Sequence, residues 1–264
     1  MYKNYIFDLY GTLVDIHTDE ESPLLWEKMA DFYSVYGADY EPGELRKAYL
    51  RMVEEEEKAV REAEGDLYCP EIDLGVVFAR LLREAPRTHE RCEDAPDLAA
   101  GDARRGWLTA AANIFRIISR DKLELYPHTI PTLDKLKAAG RKVYLLSNAQ
   151  ALFTFPELER TGLLPYFDGV YISSECGVKK PDPAFMRRLL TERGLDPAEC
   201  VMVGNDYDSD LGVAKASGVD SIFLNTYAKT KGETEAAVRR LRERFPNDAD
   251  VRLIMDGDIA EILM

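Results

Sequence analysis

The sequence has few of the features that would place it in a membrane or an oxidising compartment. No apolar run approaches the roughly 18 residues that a membrane-spanning helix needs, and the first residues lack a basic segment followed by an apolar one. Four cysteines occur, none of them in a C-x-x-C pair, and the three histidines are not spaced with them as zinc ligands would be. We therefore expect a cytoplasmic protein with reduced thiols.

Basic charge is also scarce, because 34 Lys and Arg residues stand against 48 Asp and Glu residues, for a net charge of −14. Such an acidic chain is poorly suited to bind nucleic acid or an anionic membrane non-specifically. The expected partner is a small-molecule substrate, and the sequence carries no signal for an oligomeric state. An anionic substrate would need a local cationic group or a bound metal ion, which is a first reason to expect a divalent cation.

The chain divides into blocks with different periodicities. Residues 3–15 are typical of a strand and its loop, and residues 22–122 are charged, with apolar positions three and four apart that predict four or five helices. From Leu125 onward, strands alternate with helices. Strands are predicted at 142–148, 169–173, 200–206, 221–224 and 251–254, with helices at 130–139, 156–161, 183–193, 209–217, 232–244 and 258–263.

Alternating strands and helices indicate right-handed βαβ units and a parallel sheet. We therefore predict an α/β fold with a doubly wound parallel sheet, interrupted just after its first strand by an all-helical insert. The predicted core comprises residues 1–16 and 124–264, and the predicted helical cap domain comprises residues 17–123.

Polar side chains follow the apolar runs that predict strands. Asp8 ends the first run, Ser147 ends a later one, and Asn205 with Asp206 ends a third. Because parallel strands bring their carboxyl ends to one edge of the sheet, we expect these groups to meet at a ligand-binding crevice. Lys180 precedes Pro181, which favours extended backbone and can direct one lysine toward that crevice.

Four short motifs in a fixed order resemble the haloacid dehalogenase superfamily, in the branch with a helical cap. They are Asp8-Leu9-Tyr10-Gly11-Thr12-Leu13, Leu146-Ser147-Asn148, Gly177-Val178-Lys179-Lys180-Pro181 and Val203-Gly204-Asn205-Asp206-Tyr207-Asp208-Ser209-Asp210. Each motif alone is weak, but four in order, each after the appropriate strand, are specific.

The resemblance implies a hydrolase whose nucleophile is Asp8, which would form a covalent aspartyl intermediate that water cleaves. It implies that Thr12 and Ser147 donate hydrogen bonds to the transferring group and that Asn148 supplies further donors nearby. Lys180 would offset the negative charge of Asp8 and of the substrate.

In the phosphatase branch, the resemblance also implies Mg²⁺ at this crevice. Its ligands would be the Asp8 carboxylate, the backbone carbonyl of Tyr10, and side chains from the group Asn205, Asp206 and Asp210. The sequence leaves open which members of that group bind the ion.

Tyr10 departs from the phosphatase pattern, which usually has a second Asp at this position. That Asp acts as a general acid and base, a contribution typically worth roughly 10²–10⁴ in rate. Tyrosine is found here in the 2-haloacid dehalogenases, whose halide leaving group needs no proton. Tyr10 alone therefore favours dehalogenation.

The acidic fourth motif favours the other branch, because dehalogenases use no metal. Asp206 and Asp210 both remain beside Asn205, and without a cation such a cluster near Asp8 would repel itself. We therefore predict Mg²⁺-dependent hydrolysis of a small phosphorylated metabolite. The alternatives are a metal-independent 2-haloacid dehalogenase-type hydrolase and a non-catalytic binding protein of the same fold.

Overall fold

A computed structural model describes residues 2–64, 69–88 and 102–264. Numbered along the chain, its strands are β1 (Asn4–Phe7), β2 (Val14–Thr18), β3 (Ala38–Asp39), β4 (Arg87–Thr88), β5 (Arg120–Leu125), β6 (Lys142–Ser147), β7 (Gly169–Ile172), β8 (Cys200–Gly204), β9 (Asp220–Leu224) and β10 (Val251–Ile254). Six of them form one sheet in the order β10-β9-β8-β1-β6-β7, with every pairing parallel. The predicted doubly wound α/β fold is confirmed.

The helices account for most of the remaining described chain. They are α1 (Pro23–Val35), α2 (Pro42–Glu64), α3 (Leu74–Arg83), α4 (Asp102–Ser119), α5 (Thr129–Ala138), α6 (Ala151–Arg160), α7 (Ser173–Cys176), α8 (Pro183–Arg193), α9 (Gly212–Ala216) and α10 (Lys231–Arg244). A π-helical turn, Tyr207–Leu211, precedes α9, and a 3₁₀ turn, Ile259–Leu263, lies near the C-terminus. None of the described helices is both long and apolar enough to cross a membrane.

The core strands are buried on both faces, and successive residues point to opposite layers. Tyr5 and Phe7 of β1 pack in the layer that contains α5, whereas Ile6 packs in the layer that contains Phe185 of α8. This alternation follows from the two-residue period of a strand and explains why the central strands β1, β6 and β8 are mostly apolar. Helices on both faces leave the carboxyl edge of the sheet accessible to a ligand.

The helices α1 to α4 form a unit with its own aromatic core between β2 and β5. Trp26, Tyr33, Phe78 and Phe115 pack together there, joined by Phe153 of α6. The strands β2 and β5 pair antiparallel where the chain leaves and re-enters the sheet domain. The sequence did not predict this ribbon, because its residues are short of apolar side chains and only partly buried.

Two other observations bear on the sequence predictions. Cys69, Cys176 and Cys200 are free thiols, whereas Cys92 lies outside the described residues. The helix predicted at 156–161 begins five residues earlier, at Ala151, and contains Pro156 in its interior.

Candidate active site

Three neighbouring strands bring their polar ends together at the carboxyl edge of the sheet. Asp8 follows β1, Ser147 ends β6 and Asn205 follows β8. The Ser147 hydroxyl lies 3.4 Å from Asp8 Oδ1, and the Thr12 hydroxyl lies 3.3 Å from Asp8 Oδ2. Thr12 also lies 3.4 Å from Asn205 Oδ1. The strand order, with the loop after β1, therefore brings Thr12, Ser147 and Asn205 to the Asp8 carboxylate.

Lys180 lies at the centre of this cluster and is only 3% exposed. Its ammonium donates to Asp8 Oδ1 at 2.7 Å, to Asp210 Oδ1 at 2.6 Å and to the Leu146 carbonyl at 2.8 Å. Burial alone would lower the pKa of Lys180, but Asp210 and Asp8 outweigh burial and raise it. The lysine therefore stays charged and is shared by two carboxylates.

The backbone of Lys180 is held by Asn148. The Asn148 amide donates to the Lys180 carbonyl at 2.9 Å, and its Oδ1 accepts from the Lys180 N–H at 2.7 Å. The side chain of Asn148 is thus used to hold the lysine loop, which leaves its backbone as a donor toward a ligand. On the other side of the loop, the Lys179 N–H donates to the Cys69 carbonyl at 2.9 Å, which ties the lysine loop to the helical unit.

Asp210 borders the crevice but is only 1% exposed, and protein groups contact both of its carboxylate oxygens. Its Oδ2 accepts from the N–H groups of Asn205 and Asp206, each at 3.0 Å, while its Oδ1 accepts from Lys180. Burial raises the pKa of Asp210, Lys180 opposes this shift, and the negative charge of Asp8 adds to it. These contacts use both carboxylate oxygens, so the expectation of Asp210 as a metal ligand gains no support from the geometry.

Asp206 begins the π-helical turn and serves as its cap. Its Oδ1 accepts from the Ser209 N–H at 2.7 Å and from the Ser209 hydroxyl at 2.8 Å. Asp206 is exposed at the rim of the crevice, whereas Asn205 lies inside with 7% exposure. Of the three candidates that the sequence left open, Asn205 is the one whose side chain meets Thr12, which also contacts Asp8.

Gly11 allows the loop after β1 to pass close to this cluster. Its φ of +82° is a backbone conformation that residues with a side chain rarely adopt. A Cβ at this position would lie 2.3 Å from Asn205 Nδ2. The same Cβ would lie 2.7 Å from the Tyr227 hydroxyl. The turn at Gly11-Thr12 therefore requires glycine, both because of its backbone conformation and because a side chain would not fit.

The phenol of Tyr10 does not act on the crevice. It donates to the Glu157 carboxylate and lies 3.2 Å from the Thr154 hydroxyl. Burial, together with the charge of Glu157, raises the pKa of Tyr10 above its ordinary value. Tyr10 therefore lines the crevice, while its hydroxyl keeps its proton and donates it in a hydrogen bond to Glu157.

The crevice offers oxygen donors of the kind that Mg²⁺ requires. Within residues 2–64, 69–88 and 102–264, no three His, Cys, Asp or Glu side chains are grouped to hold a metal ion. Mg²⁺ is usually bound by one or two carboxylates, with other oxygens and substrate phosphate completing its shell. Asp8, the Tyr10 carbonyl and Asn205 offer oxygen donors of this kind, so the residues fit such an ion.

A cavity of about 230 Å³ opens above these groups. Its lining includes Asp8, Lys180, Asn205, Asp206, Ser209 and Tyr227. Sequence reasoning missed Tyr227, which is 58% exposed. Its position just after β9 was the available signal, because that strand also ends at the carboxyl edge of the sheet.

A parallel sheet with reactive side chains at its carboxyl edge defines an α/β enzyme. A family model for haloacid dehalogenase-like hydrolases matches residues 2–218. The chain therefore belongs to this hydrolase family, as the four motifs predict.

Several relatives are named as phosphatases. A phosphoserine phosphatase of Thermus thermophilus is 32% identical over 189 residues, covering 71% of this chain and 63% of that protein. A ribulose-1,5-bisphosphate 5-phosphatase of Halopiger xanaduensis is 27% identical over 67% of this chain and 73% of its own. A glyceraldehyde 3-phosphate phosphatase of Methanocaldococcus jannaschii is 38% identical over 102 residues, 39% of this chain. That match spans 45% of the Methanocaldococcus protein, less than half its length.

Solved structures of both branches share the fold. A HAD phosphatase from Thermococcus onnurineus superposes with a TM-score of 0.55 at 20% identity, covering 99% of this chain and 97% of that one. A 2-haloacid dehalogenase from Pseudomonas syringae superposes with a TM-score of 0.56 at 20% identity, covering 91% and 99%. At 20% identity this similarity shows the fold only, so the reaction must be inferred from the residues of the site.

Proposed function

We propose that this protein is a Mg²⁺-dependent phosphatase that hydrolyses a small phosphorylated metabolite, with Asp8 as the nucleophile. The observation that carries the proposal is the shared lysine, which holds Asp8 Oδ1 and Asp210 Oδ1 at 2.7 and 2.6 Å in a buried cluster. The relatives named as phosphatases of small phosphorylated compounds support the same reaction class.

The charge balance of the cluster favours a cation. Two carboxylates and one ammonium leave one net negative charge at a site where burial makes charge costly. We propose that Asp8, the Tyr10 carbonyl and Asn205 hold Mg²⁺, with Asp206 at the rim and Asp210 committed to Lys180. When bound, the ion would neutralise charge on a phosphoryl group and help orient it.

The proposed reaction proceeds in two steps. Asp8 attacks phosphorus and forms an acyl phosphate while the bond from phosphorus to the leaving oxygen breaks. Water then attacks that phosphorus, which releases phosphate and regenerates the Asp8 carboxylate. Thr12, Ser147 and the Asn148 backbone would donate hydrogen bonds to the transferring group, while Lys180 offsets its negative charge.

The orientation of Tyr10 limits the leaving groups. Because the Tyr10 hydroxyl donates its hydrogen bond to Glu157, it cannot readily protonate a departing alkoxide. The site therefore suits an acyl phosphate or another leaving group of low basicity, or a substrate that brings its own acid. The same orientation favours the second candidate function, a metal-independent dehalogenase-type hydrolase, since halide needs no proton.

We also propose that residues 17–123 are a cap and that residues 1–16 and 124–264 are the catalytic core. The position of α1 to α4 between the ribbon strands β2 and β5 supports this division. A cap of this kind would supply the contacts that select the substrate and exclude water during transfer.

The test is hydrolysis of p-nitrophenyl phosphate by the wild type and by Asp8→Asn, each with Mg²⁺ and with EDTA. Its phenolate leaves without a general acid, so the orientation of Tyr10 should not mask turnover. We expect Mg²⁺-dependent turnover that falls at least about 10³-fold in Asp8→Asn. Asp31→Asn, an exposed change on α1, is the matched control and should keep wild-type activity.

Two results would redirect the proposal. Halide release from 2-chloropropionate that EDTA does not affect would favour the dehalogenase. Full phosphatase activity in a well-folded Asp8→Asn variant would remove Asp8 as the nucleophile.

A further inference from the structure

Another buried carboxylate, on α6, lies next to Tyr10 of the crevice. Glu157 has a side chain that is only 3% exposed and accepts hydrogen bonds from three different segments of the chain. Tyr10 donates its phenol to Glu157 Oε2, and Arg116 donates Nε to Oε1 at 2.8 Å. Arg120 donates Nη1 to Oε1 at 2.5 Å.

The three donors come from the loop after β1, from the helical unit and from the ribbon strand β5. Tyr10 is two residues after Asp8, Arg116 is on the last helix of the helical unit, and Arg120 begins the ribbon strand β5. The Arg116 guanidinium also lies 5.7 Å from the centre of the Tyr10 ring and 5.1 Å from that of Phe153. Glu157 thus connects the nucleophile loop to the helical unit through one side chain.

Stability alone does not explain this arrangement. Burying an ion pair costs desolvation that roughly cancels its attraction, so packed apolar residues of similar volume would often stabilise the fold as well or better. The charged groups instead fix orientation, because each hydrogen bond to the Glu157 carboxylate holds its donor side chain in one position. Tyr10, whose phenol Glu157 fixes, is one of the residues that line the cavity above Asp8.

We propose that Glu157 is a positioning residue that sets substrate affinity by fixing the Tyr10 ring and coupling it to Arg116 and Arg120. The ring forms a wall on which the non-reacting part of the substrate rests. Contacts made equally in the ground state and the transition state change KM and leave kcat unchanged. The kinetic part of this proposal rests on the phosphatase function proposed above.

The test is a double-mutant cycle with Glu157→Gln, Tyr10→Phe and the double variant. Glutamine keeps the shape of Glu157 and removes its charge, and phenylalanine keeps the ring of Tyr10 and removes its donor. We expect each single variant to raise KM for p-nitrophenyl phosphate about tenfold, with kcat within about threefold. The double variant should be no worse than either single variant, because both changes break the same link. Glu159→Gln, an exposed change on the same helix, should alter neither constant.

A second measurement does not depend on catalysis. Hydrogen exchange should become faster in Glu157→Gln both at the amides of residues 9–14 and at those of β5, and remain as in the wild type in Glu159→Gln. Exchange that quickens only in α6, or KM effects that add independently, would overturn the proposal. Faster exchange in both segments, in a protein without phosphatase activity, would support the coupling through Glu157. It would count against the proposed function but not against that coupling.

Discussion

At the scale of single residues, the site depends on one ammonium shared by two carboxylates. Lys180→Met removes this charge and leaves Asp8 and Asp210 facing each other without a counter-ion. We expect kcat for p-nitrophenyl phosphate to fall by about 10²–10³, the usual loss when one preorganised charge is removed. The free energy of unfolding should fall by about 3–5 kcal/mol, because breaking a buried ion pair leaves an uncompensated charge in the interior. Steady-state kinetics and urea unfolding measure the two effects.

Lys179→Met is the matched control for that change. Lys179 precedes Lys180, but its side chain is 37% exposed and its ammonium lies 3.7 Å from Glu71 Oε1. Because the lysine is partly exposed and this contact is long, the pair should contribute about 0–1 kcal/mol, and activity should stay within about twofold of the wild type. Equal losses in both variants would show that the local charge, and not its position between the carboxylates, matters.

The sequence indicated which strand ends meet, but not how each side chain is used there. Asp8, Ser147 and Asn205 lie together because parallel strands share an edge, a rule that needs no tertiary detail. Asn148 holds the Lys180 backbone and Asp210 holds its ammonium, contacts that depend on the conformation of two loops. Neither Tyr227 nor Glu157 belongs to a motif, so only the folded chain brings them to the site.

At the scale of secondary-structure elements, the end of β8 leaves no room for a side chain at Gly204. A Cβ there would lie 2.3–2.5 Å from Oδ2, Cγ and Cβ of Asp210. Gly204→Ala should therefore displace Asp210 from Lys180, lowering stability by about 1–3 kcal/mol and activity by about 10²-fold. Urea unfolding and p-nitrophenyl phosphate hydrolysis provide the measurements.

Gly106→Ala tests the same substitution where nothing lies within 4 Å of the new Cβ. Gly106 lies inside α4, so alanine should stabilise the protein by about 0.5–1 kcal/mol and leave activity unchanged. If Gly204→Ala behaved like Gly106→Ala, the close packing between β8 and Asp210 would have no functional importance.

The sequence did not predict where α6 begins, because contacts with distant parts of the chain decide that boundary. The sequence pattern predicts a helix over 156–161, five residues short of the observed start of α6 at Ala151. In the structure, the Ser174 hydroxyl accepts from the Ala151 N–H at 2.9 Å, while Gln150 bonds to Ile72 and Leu74. These contacts begin the helix earlier and place the proline in its interior.

At the scale of the whole molecule, acid stability should depend on Asp168, which ties the loop before β7 to β6. Burial acts to raise the pKa of Asp168, but hydrogen bonds from Lys137, the Val143 N–H and Lys142 lower it to about 2. A depressed carboxyl pKa stabilises the folded state above the unfolded pKa of about 4. That contribution disappears as pH falls through about 2.

Asp168→Asn should therefore lower the free energy of unfolding by about 1–2 kcal/mol at pH 7, allowing for screening of the exposed lysines. The difference from the wild type should shrink between pH 4 and pH 2. Urea unfolding at pH 7, 5, 4 and 3 follows it, with Glu159→Gln as the exposed control. A difference that stayed constant across this range would show that Asp168 stabilises by packing rather than by charge.

The order of the strands also has a consequence for the timing of folding. β1 pairs with β6 through Asn4 and Lys142, and with β8 through Asn4 and Cys200. At synthesis rates of about 5–20 residues per second, roughly 10–40 s pass between the translation of β1 and that of β8. The segment that carries Asp8 leaves the ribosome well before β6 and β8, yet it can take its place between them only after both have been made.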